Sequence, residues 1–329
     1  MAKQVVITGA LGFIGGHTAK VFKQAGYHVI GVDRTATIPE SAQYIDQLLY
    51  DDFAEVAPVA AVVNQADAII HCAGTSLVGP SIMDPGEYYN NNSAKTNLMM
   101  DKLARLQYNG KIVFSSSAAT YGIPLESGNI TEDSAKNPIS PYGWSKLFCE
   151  YIIKDHCLAH NMRGIALRYF NACGCDPDTT LGHVADDTHM IPRVLNAYHN
   201  DRAFTLYGND YATPDGTCIR DYLHVMDIAQ AHLEAVCLAE TMHQGEFRAY
   251  NLGTGQGYSN REIIAACERA VKDFIGVTVG ARRTGDPDML VANSDCFQKD
   301  TAWRPRFSDI NTIVETAWQW QQRYPRKLG

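Results

Sequence analysis

The sequence predicts an α/β protein: a doubly wound parallel sheet followed by a smaller α/β part. Three observations carry this expectation. Short, near-continuous apolar runs alternate with helical stretches through the first half of the chain, the pattern of strands buried on both faces. A glycine-rich turn joins the first apolar run to the first helical stretch. After Asn171 the alternation breaks, and polar segments rich in Gly, Asp and Thr appear.

Taken in order, Gln4 to Thr8 reads as a β-branched first strand, and His17 to Ala25 as a helix. His28 to Asp33 is a second strand, followed by an irregular segment. Asp67 to Cys72 is a strand, Lys95 to Leu106 a helix, and Lys111 to Ser117 a strand. Gly143 to His160 is a long helix, and Gly164 to Phe170 a strand. Beyond the break, Cys173 to His189 and Tyr207 to Asp221 have loop character. Helices return at Met226 to Ala239, Asn260 to Phe274 and Asn311 to Tyr324. The expected division is therefore 1–172 for the sheet domain and 173–329 for a second, substrate-side domain. Part of 223–250 is expected to return to the sheet domain.

The chain has 329 residues, of which 46% are hydrophobic and 19% charged, enough for a large core. A net charge of -8 argues against general binding to nucleic acid or to anionic membranes. No stretch approaches a membrane span, and Met1-Ala-Lys-Gln-Val-Val-Ile lacks a signal-peptide layout. The nine cysteines are scattered and odd in number, which reads as reduced thiols in a cytoplasmic protein. Cys173 and Cys175 form the one close pair, and no second pair or histidine cluster completes a metal site.

Val5-Val-Ile-Thr-Gly9-Ala-Leu-Gly12-Phe-Ile-Gly15 reads as strand, turn and helix start. Glycines let a backbone approach a pyrophosphate, and the helix N-terminus offers unpaired N–H groups. A plain strand–helix turn has the same spacing, so context decides. Asp33 ends the second strand, where a carboxylate holds an adenosine ribose and disfavours a 2′-phosphate. This favours NAD. Asp52 and Phe53 follow an apolar run and suit an adenine, although a solvated strand end fits them equally. Cys72-Ala73-Gly74 would leave room for a dinucleotide at the strand ends.

Tyr142 and Lys146 stand four apart, so they share one helix face, and Ser117 closes the strand Lys111 to Ser117. A free phenol is a weak acid. A cation about 4 Å away stabilises a phenolate by on the order of 4 kcal/mol, the size needed for proton removal near neutral pH. Tyr-x-x-x-Lys also occurs as ordinary helix packing, and it gains meaning here from Ser117 and the glycine turn. His224 reads as a satisfied buried histidine. Trp318 and Trp320 read as C-terminal helix packing, and Arg220 has Asp221 and Asp227 as candidate ion-pair partners.

These residues resemble the extended short-chain dehydrogenase/reductase superfamily and, within it, the UDP-glucose 4-epimerase family. The resemblance runs from Val5 to Trp320. It rests on Gly9 to Gly15, on Ser115-Ser-Ser-Ala, on Tyr142-Gly-x-Ser-Lys146, on Arg168-Tyr-Phe-Asn171, on the long run from Gly208 to Val225 around Arg220, and on Tyr250-Asn-Leu-Gly-Thr-Gly. It implies that Ser117, Tyr142 and Lys146 are catalytic. It implies that Gly9, Gly12, Phe13, Ile14, Gly15, Asp33, Asp52, Phe53, Cys72, Ala73, Gly74, Asn91, Ser115 and Tyr169 line an NAD site with Tyr142 and Lys146. Phe170, Asn171, His189, Met190, Tyr207, Arg220, Arg283, Asp286 and Leu290 would hold a UDP-sugar, together with Ser117 and Tyr142. The implied reaction is inversion at C4 of a UDP-hexose through a 4-keto intermediate.

The resemblance has departures. Asp33 to His71 is short, Ser76 stands where the family carries a lysine, and Leu290 is neither the large nor the small residue of better-known members. Acceptance of N-acetylated sugars is open on this basis. A 4,6-dehydratase would carry an acidic pair where Ala118-Ala119 stand. A 4-epimerase of another UDP-sugar and a non-catalytic NAD-sensing protein are the alternatives. A homodimer is expected through the helices 95–106 and 143–160, as in the family.

Overall fold

The computed structural model describes residues 3–35, 40–55, 65–124, 128–183, 189–283 and 286–324. Parts of the short 33–71 segment and of the 173–190 segment lie outside the described residues. In chain order the elements are β1 (Gln4–Thr8), α1 (Phe13–Gln24), β2 (His28–Asp33), β3 (Gln47–Tyr50), β4 (Ala68–His71), α2 (Val78–Met83) and α3 (Pro85–Tyr88). A π-helical turn, Tyr89–Ala94, leads into α4 (Lys95–Arg105), β5 (Lys111–Ser117), α5 (Pro141–His160), β6 (Arg163–Tyr169) and β7 (Asn171–Cys173). Then come α6 (Met190–His199), β8 (Phe204–Tyr207), β9 (Ile219–His224), α7 (Val225–Thr241), β10 (Phe247–Leu252) and β11 (Gly257–Ser259). The chain ends with α8 (Asn260–Val271), β12 (Val277–Gly280), β13 (Met289–Leu290), α9 (Asp295–Asp300) and α10 (Ile310–Arg323).

Seven parallel strands form the main sheet in the order β10-β6-β5-β4-β1-β2-β3. Alternate residues of one strand enter different cores, which is why both faces are apolar. Val5 and Ile7 pack with Phe22 of α1 and with Ile228 and Ala235 of α7. Val6, between them, packs on the opposite side with Met99, Met100 and Leu103 of α4 and Ile153 of α5. This is a Rossmann-type doubly wound sheet. A third core holds α6, α8 and α10 over β8 and β9. No described helix is long and apolar enough to cross a membrane.

Local chemistry sets the helix ends. Ser140 accepts a hydrogen bond from the Gly143 N–H at 3.2 Å and Pro141 opens α5, while Asn161 closes it at φ 57°. Ser259 and Glu262 form a capping box at α8.

Several elements differ from the sequence expectation. The segment after Asp33 contains β3, a four-residue edge strand that holds the short apolar run before Asp52 and has Gln47 and Tyr50 exposed at its ends. Helix α1 begins at Phe13, because Gly15 and Gly16 sit inside its first turns. Helix α6 occupies a stretch to which the sequence pattern assigns no element, and β9 begins inside the expected loop 207–221. In line with the expected return of part of 223–250, strand β10 pairs with β6 at the edge of the main sheet, although it lies well beyond the break in pattern.

Candidate active site

Strands β1, β2, β4, β5 and β6 end on one edge of the sheet, and the sequence-predicted residues follow those ends. At the end of β1, Gly9 has φ +67°, and a Cβ on it would lie 2.8 Å from the Ala73 backbone. A Cβ on Gly15 would run into the Gly9 carbonyl oxygen. Strand and helix therefore meet backbone to backbone. Gly12 caps α1 with no side chain, and no acidic residue stands in the first turn. The N-terminal N–H groups around Phe13 and Ile14 are thus open to an anion. The Asp33 carboxylate accepts from the Leu11 N–H and the Thr35 N–H, each at 2.9 Å, which fixes it at the end of β2. This backbone cradle fits a dinucleotide pyrophosphate and ribose.

Asp52 receives Lys95 Nζ at 2.5 Å, with Arg34 3.9 Å away. Burial pushes its carboxyl up, but the Lys95 ammonium and the Ala54 N–H outweigh this and hold it below the usual range. The Phe53 ring lies 4.8 Å from the His71 ring. Asn91 donates to Thr75 Oγ1 at 2.6 Å and accepts from Lys95 Nζ at 3.2 Å. Its neighbour Asn92 accepts from the Thr75 N–H and donates to Ser145 Oγ, so the π-helical turn pins the backbone beside Gly74 to α5. Ser76 is exposed.

Tyr142 and Lys146 lie on α5, both buried. Lys146 Nζ donates to the Ser115 carbonyl at 2.9 Å and sits 6.0 Å from the Tyr142 ring centroid. Ser117, at the end of β5, accepts from the Ala119 N–H at 3.2 Å. Ser115 bonds Cys72 Sγ at 3.1 Å and His232 Nε2 at 3.0 Å. Burial, then the nearby Cys72, pushes the Tyr169 phenol well up, so it stays protonated. Burial likewise raises the Cys72 thiol to about 11, which keeps it from acting as a thiolate.

Beneath these residues runs a buried polar chain. Ser116 Oγ donates to Glu150 at 2.5 Å, and Arg168 binds the same carboxylate bidentately at 2.9 and 2.5 Å. Arg168 also donates to the Tyr121 hydroxyl at 2.8 Å, which donates to Asn251 Oδ1 at 2.7 Å. The chain ties α5 to β5, β6 and β10 below Ser117 and Tyr142.

On the other side, Phe170 packs with Ala118, Tyr121 and Leu290. Asn171 donates to the Asp221 carbonyl at 2.7 Å. His189 stands at the N-cap position of α6, with Met190 the first helical residue, and burial lowers the imidazole, favouring the neutral form. Arg220 bonds its neighbour's carbonyl and pairs with Asp286 at 3.4 Å, while Leu290 faces it across β13 and β9. Arg283 lies 4.4 Å from the Tyr207 ring centroid.

Asp221 and Asp227 are not partners of Arg220. Asp221 is fully buried and accepts from the N–H groups of Thr254, Gly255 and Ala292, whereas Asp227 receives Arg306, Phe307 and Ser308. His224 caps α7 and contacts Thr316, a packed neutral histidine that burial lowers to about 3. Trp318 packs on Tyr198 and His199. Trp320 lines a small open pocket with Phe13, Cys173 and His183, beside the glycine turn rather than at Tyr142. Sequence reasoning did not single out Lys95, Asn92 or Glu150. Glu150 stands four residues after Lys146 on the same helix face, a spacing that offered a signal. Asn92 offered none, since three asparagines run together.

A parallel sheet that opens its carboxyl edge onto a glycine cradle is the architecture of a dinucleotide-binding protein. Residues 5–253 match the NAD dependent epimerase/dehydratase family, and the chain belongs to that family. It is 36% identical over 330 residues to the UDP-glucose 4-epimerase of Lacticaseibacillus casei, covering 99% of this chain and 98% of that protein. Its fold is similar to that of a UDP-glucose 4-epimerase from Brucella ovis in complex with NAD. The TM-score is 0.91 at 39% identity, over 97% of this chain and 98% of that one. It is also similar to a UDP-glucose 4-epimerase from Bifidobacterium longum in complex with NAD+ and UDP. There the TM-score is 0.89 at 33% identity, over 98% and 99% of the two chains.

Proposed function

We propose that this protein is an NAD-dependent 4-epimerase of UDP-hexoses, interconverting UDP-glucose and UDP-galactose. The observation that carries the reading is the convergence of Ser117, Tyr142 and Lys146 on the sheet edge that also bears the glycine cradle. The full-length likeness to UDP-glucose 4-epimerases supports it.

Gly9, Gly12, Gly15, Asp33, Asp52 and Asn91 would hold NAD, with Tyr169 on its nicotinamide side. Bound NAD supplies reversible hydride acceptance at C4 of the sugar. Tyr142 takes the 4-hydroxyl proton, with Ser117 bridging, and later returns it to the inverted alcohol. Lys146 keeps a positive charge beside the phenol and is steadied by the Ser115 carbonyl. Arg220 and Arg283 grip the diphosphate, because guanidinium groups pair with phosphate oxygens. Phe170 and Leu290 leave an apolar wall at the sugar, against which the 4-keto sugar turns over. The intermediate size of Leu290 favours a second reading, in which UDP-N-acetylhexosamines are also accepted.

The active form is a homodimer through α4 and α5, whose Leu98, Phe148, Tyr151 and Leu158 are exposed and apolar. The protein works in the cytoplasm: all nine cysteines are free thiols, which suits a reducing compartment.

The test is incubation with UDP-galactose, UDP-N-acetylgalactosamine or UDP-arabinose, each without added cofactor, followed by product analysis. UDP-glucose should form from UDP-galactose. Tyr142→Phe removes a hydroxyl with no hydrogen-bond partner among the described residues, so it should fold and bind NAD normally. Its kcat should fall by at least about a hundredfold, within the span of general acid–base effects. Wild-type turnover in that variant would end the mechanism.

A further inference from the structure

The fold brings to the substrate side an arginine that none of the sequence motifs includes. Arg193 lies on α6, one helical turn after His189, so the two share a face. Its guanidinium carbon is 5.5 Å from the Tyr207 ring centroid and 5.4 Å from that of Phe204. Arg283 reaches the same Tyr207 ring from a segment ninety residues further along the chain. Arg193 is half-buried. Among the described residues, neither Arg193 nor Arg283 has a carboxylate within ion-pair distance. In contrast Arg168, Arg220, Arg248 and Arg282 each have one. The nearby Asp286 is engaged by Arg220.

Two guanidinium groups gathered on one aromatic ring repel each other, and the repulsion is felt more where burial thins the water. Stacking on the ring orients each planar fork but leaves its N–H donors to an outside acceptor. A polyanion placed between them relieves the repulsion and uses those donors bidentately. We propose that Arg193 is a further binding residue for the diphosphate of the UDP-sugar, acting opposite Arg283 with the Tyr207 ring as their common support. This rests on the reading of the site as one for UDP-sugars. Arg193 sets ground-state affinity and stays away from the reacting carbon.

The test compares wild type, Arg193→Met and Arg193→Lys by calorimetric titration with UDP, UMP and uridine, alongside epimerase kinetics and NAD content. Arg193→Met keeps an apolar stem over the rings, so NAD content and melting temperature should match wild type. Its UDP dissociation constant and its KM should rise about tenfold, with kcat within twofold. UMP should weaken less than UDP, and uridine not at all. Raising salt should weaken UDP binding less steeply in Arg193→Met than in wild type. Arg193→Lys should recover part of the UDP affinity. Equal weakening of UDP and uridine would overturn the proposal by assigning Arg193 to packing around the base, as would unchanged UDP binding. UDP binding is read without turnover. A wild-type protein that binds UDP but does not epimerise would therefore refute the proposed function and leave this inference standing.

Discussion

Glu150→Gln leaves the Arg168 guanidinium buried without its counter-charge. Both side chains are 4% exposed, so solvent screens the pair little. Removing one partner of such a pair costs about 3–5 kcal/mol. With an unfolding entropy of roughly 2.1 cal/mol/K per residue, a chain of this length carries on the order of 0.7 kcal/mol/K, so the melting temperature should fall by about 4–7 °C. Glu150→Met combined with Arg168→Met removes both charges together, and replacing a whole buried pair by apolar residues is often neutral or stabilising. The double variant should therefore melt at or above the temperature of Glu150→Gln. Differential scanning calorimetry of both variants and wild type measures this directly. Activity should fall in Glu150→Gln as well, because its carboxylate also holds Ser116, the neighbour of Ser117. A midpoint within about 1 °C of wild type would refute the reasoning. So would a double variant that melts well below the single one, since the network rather than the uncompensated charge would then govern stability.

Gly15→Ala drives a Cβ into the Gly9 carbonyl, and the cradle must open. NAD retained after gel filtration, read from absorbance, should fall more than about tenfold, and full retention would contradict the cradle. Stability should also drop on acidification. Burial lowers His71 to about 3, with the Lys146 charge adding to it, and lowers His232 to about 4 and His224 to about 3. Below about pH 6.5 the unfolded chain binds protons that these folded imidazoles refuse, so each contribution is complete above that pH and is lost as pH falls. At pH 5.5 each costs about 1.4 kcal/mol relative to neutral pH, and a melting temperature at pH 5.5 equal to that at pH 7.5 would count against it. Phe148→Glu puts a charge on the exposed apolar face of α5, and light scattering should show a dimer for the wild type and a monomer for the variant; equal masses for the two would count against the proposed interface.

The elements legible in the sequence are those whose signal is contiguous. The glycine turn, the strand-end serine and the Tyr-x-x-x-Lys pair each lie within one turn or one helix, where spacing alone sets geometry. The long buried strands were legible for the same reason, since a strand covered on both faces reads as an unbroken apolar run. Edge strand β3 was legible only as a short apolar run before Asp52, because three apolar residues with exposed ends are too few to show a strand period. Helix α6 was not assigned, although Ile191, Val194 and Leu195 fall at helical spacing, because it is only ten residues long and flanked by polar segments, so its place depends on the core it covers.

The motif from Gly208 to Arg220 shows where the division falls. Its residues were legible as a run, but the structure shows that much of it holds itself together. Asp215 bonds Thr217 and Ser259, Tyr211 pairs with Gly216, and the run ends with Arg220 on β9 beside Asp286. The local chemistry at Tyr142, Lys146 and Gly9 to Gly15 was determined by the sequence alone, because neighbours along a helix or a turn are neighbours in space. Only the tertiary structure decided that Arg193 and Arg283 share the Tyr207 ring, and that Ser116, Glu150, Arg168, Tyr121 and Asn251 form one chain. Contacts between residues tens of positions apart arise from how sheet and helices pack, and no spacing along the chain encodes them.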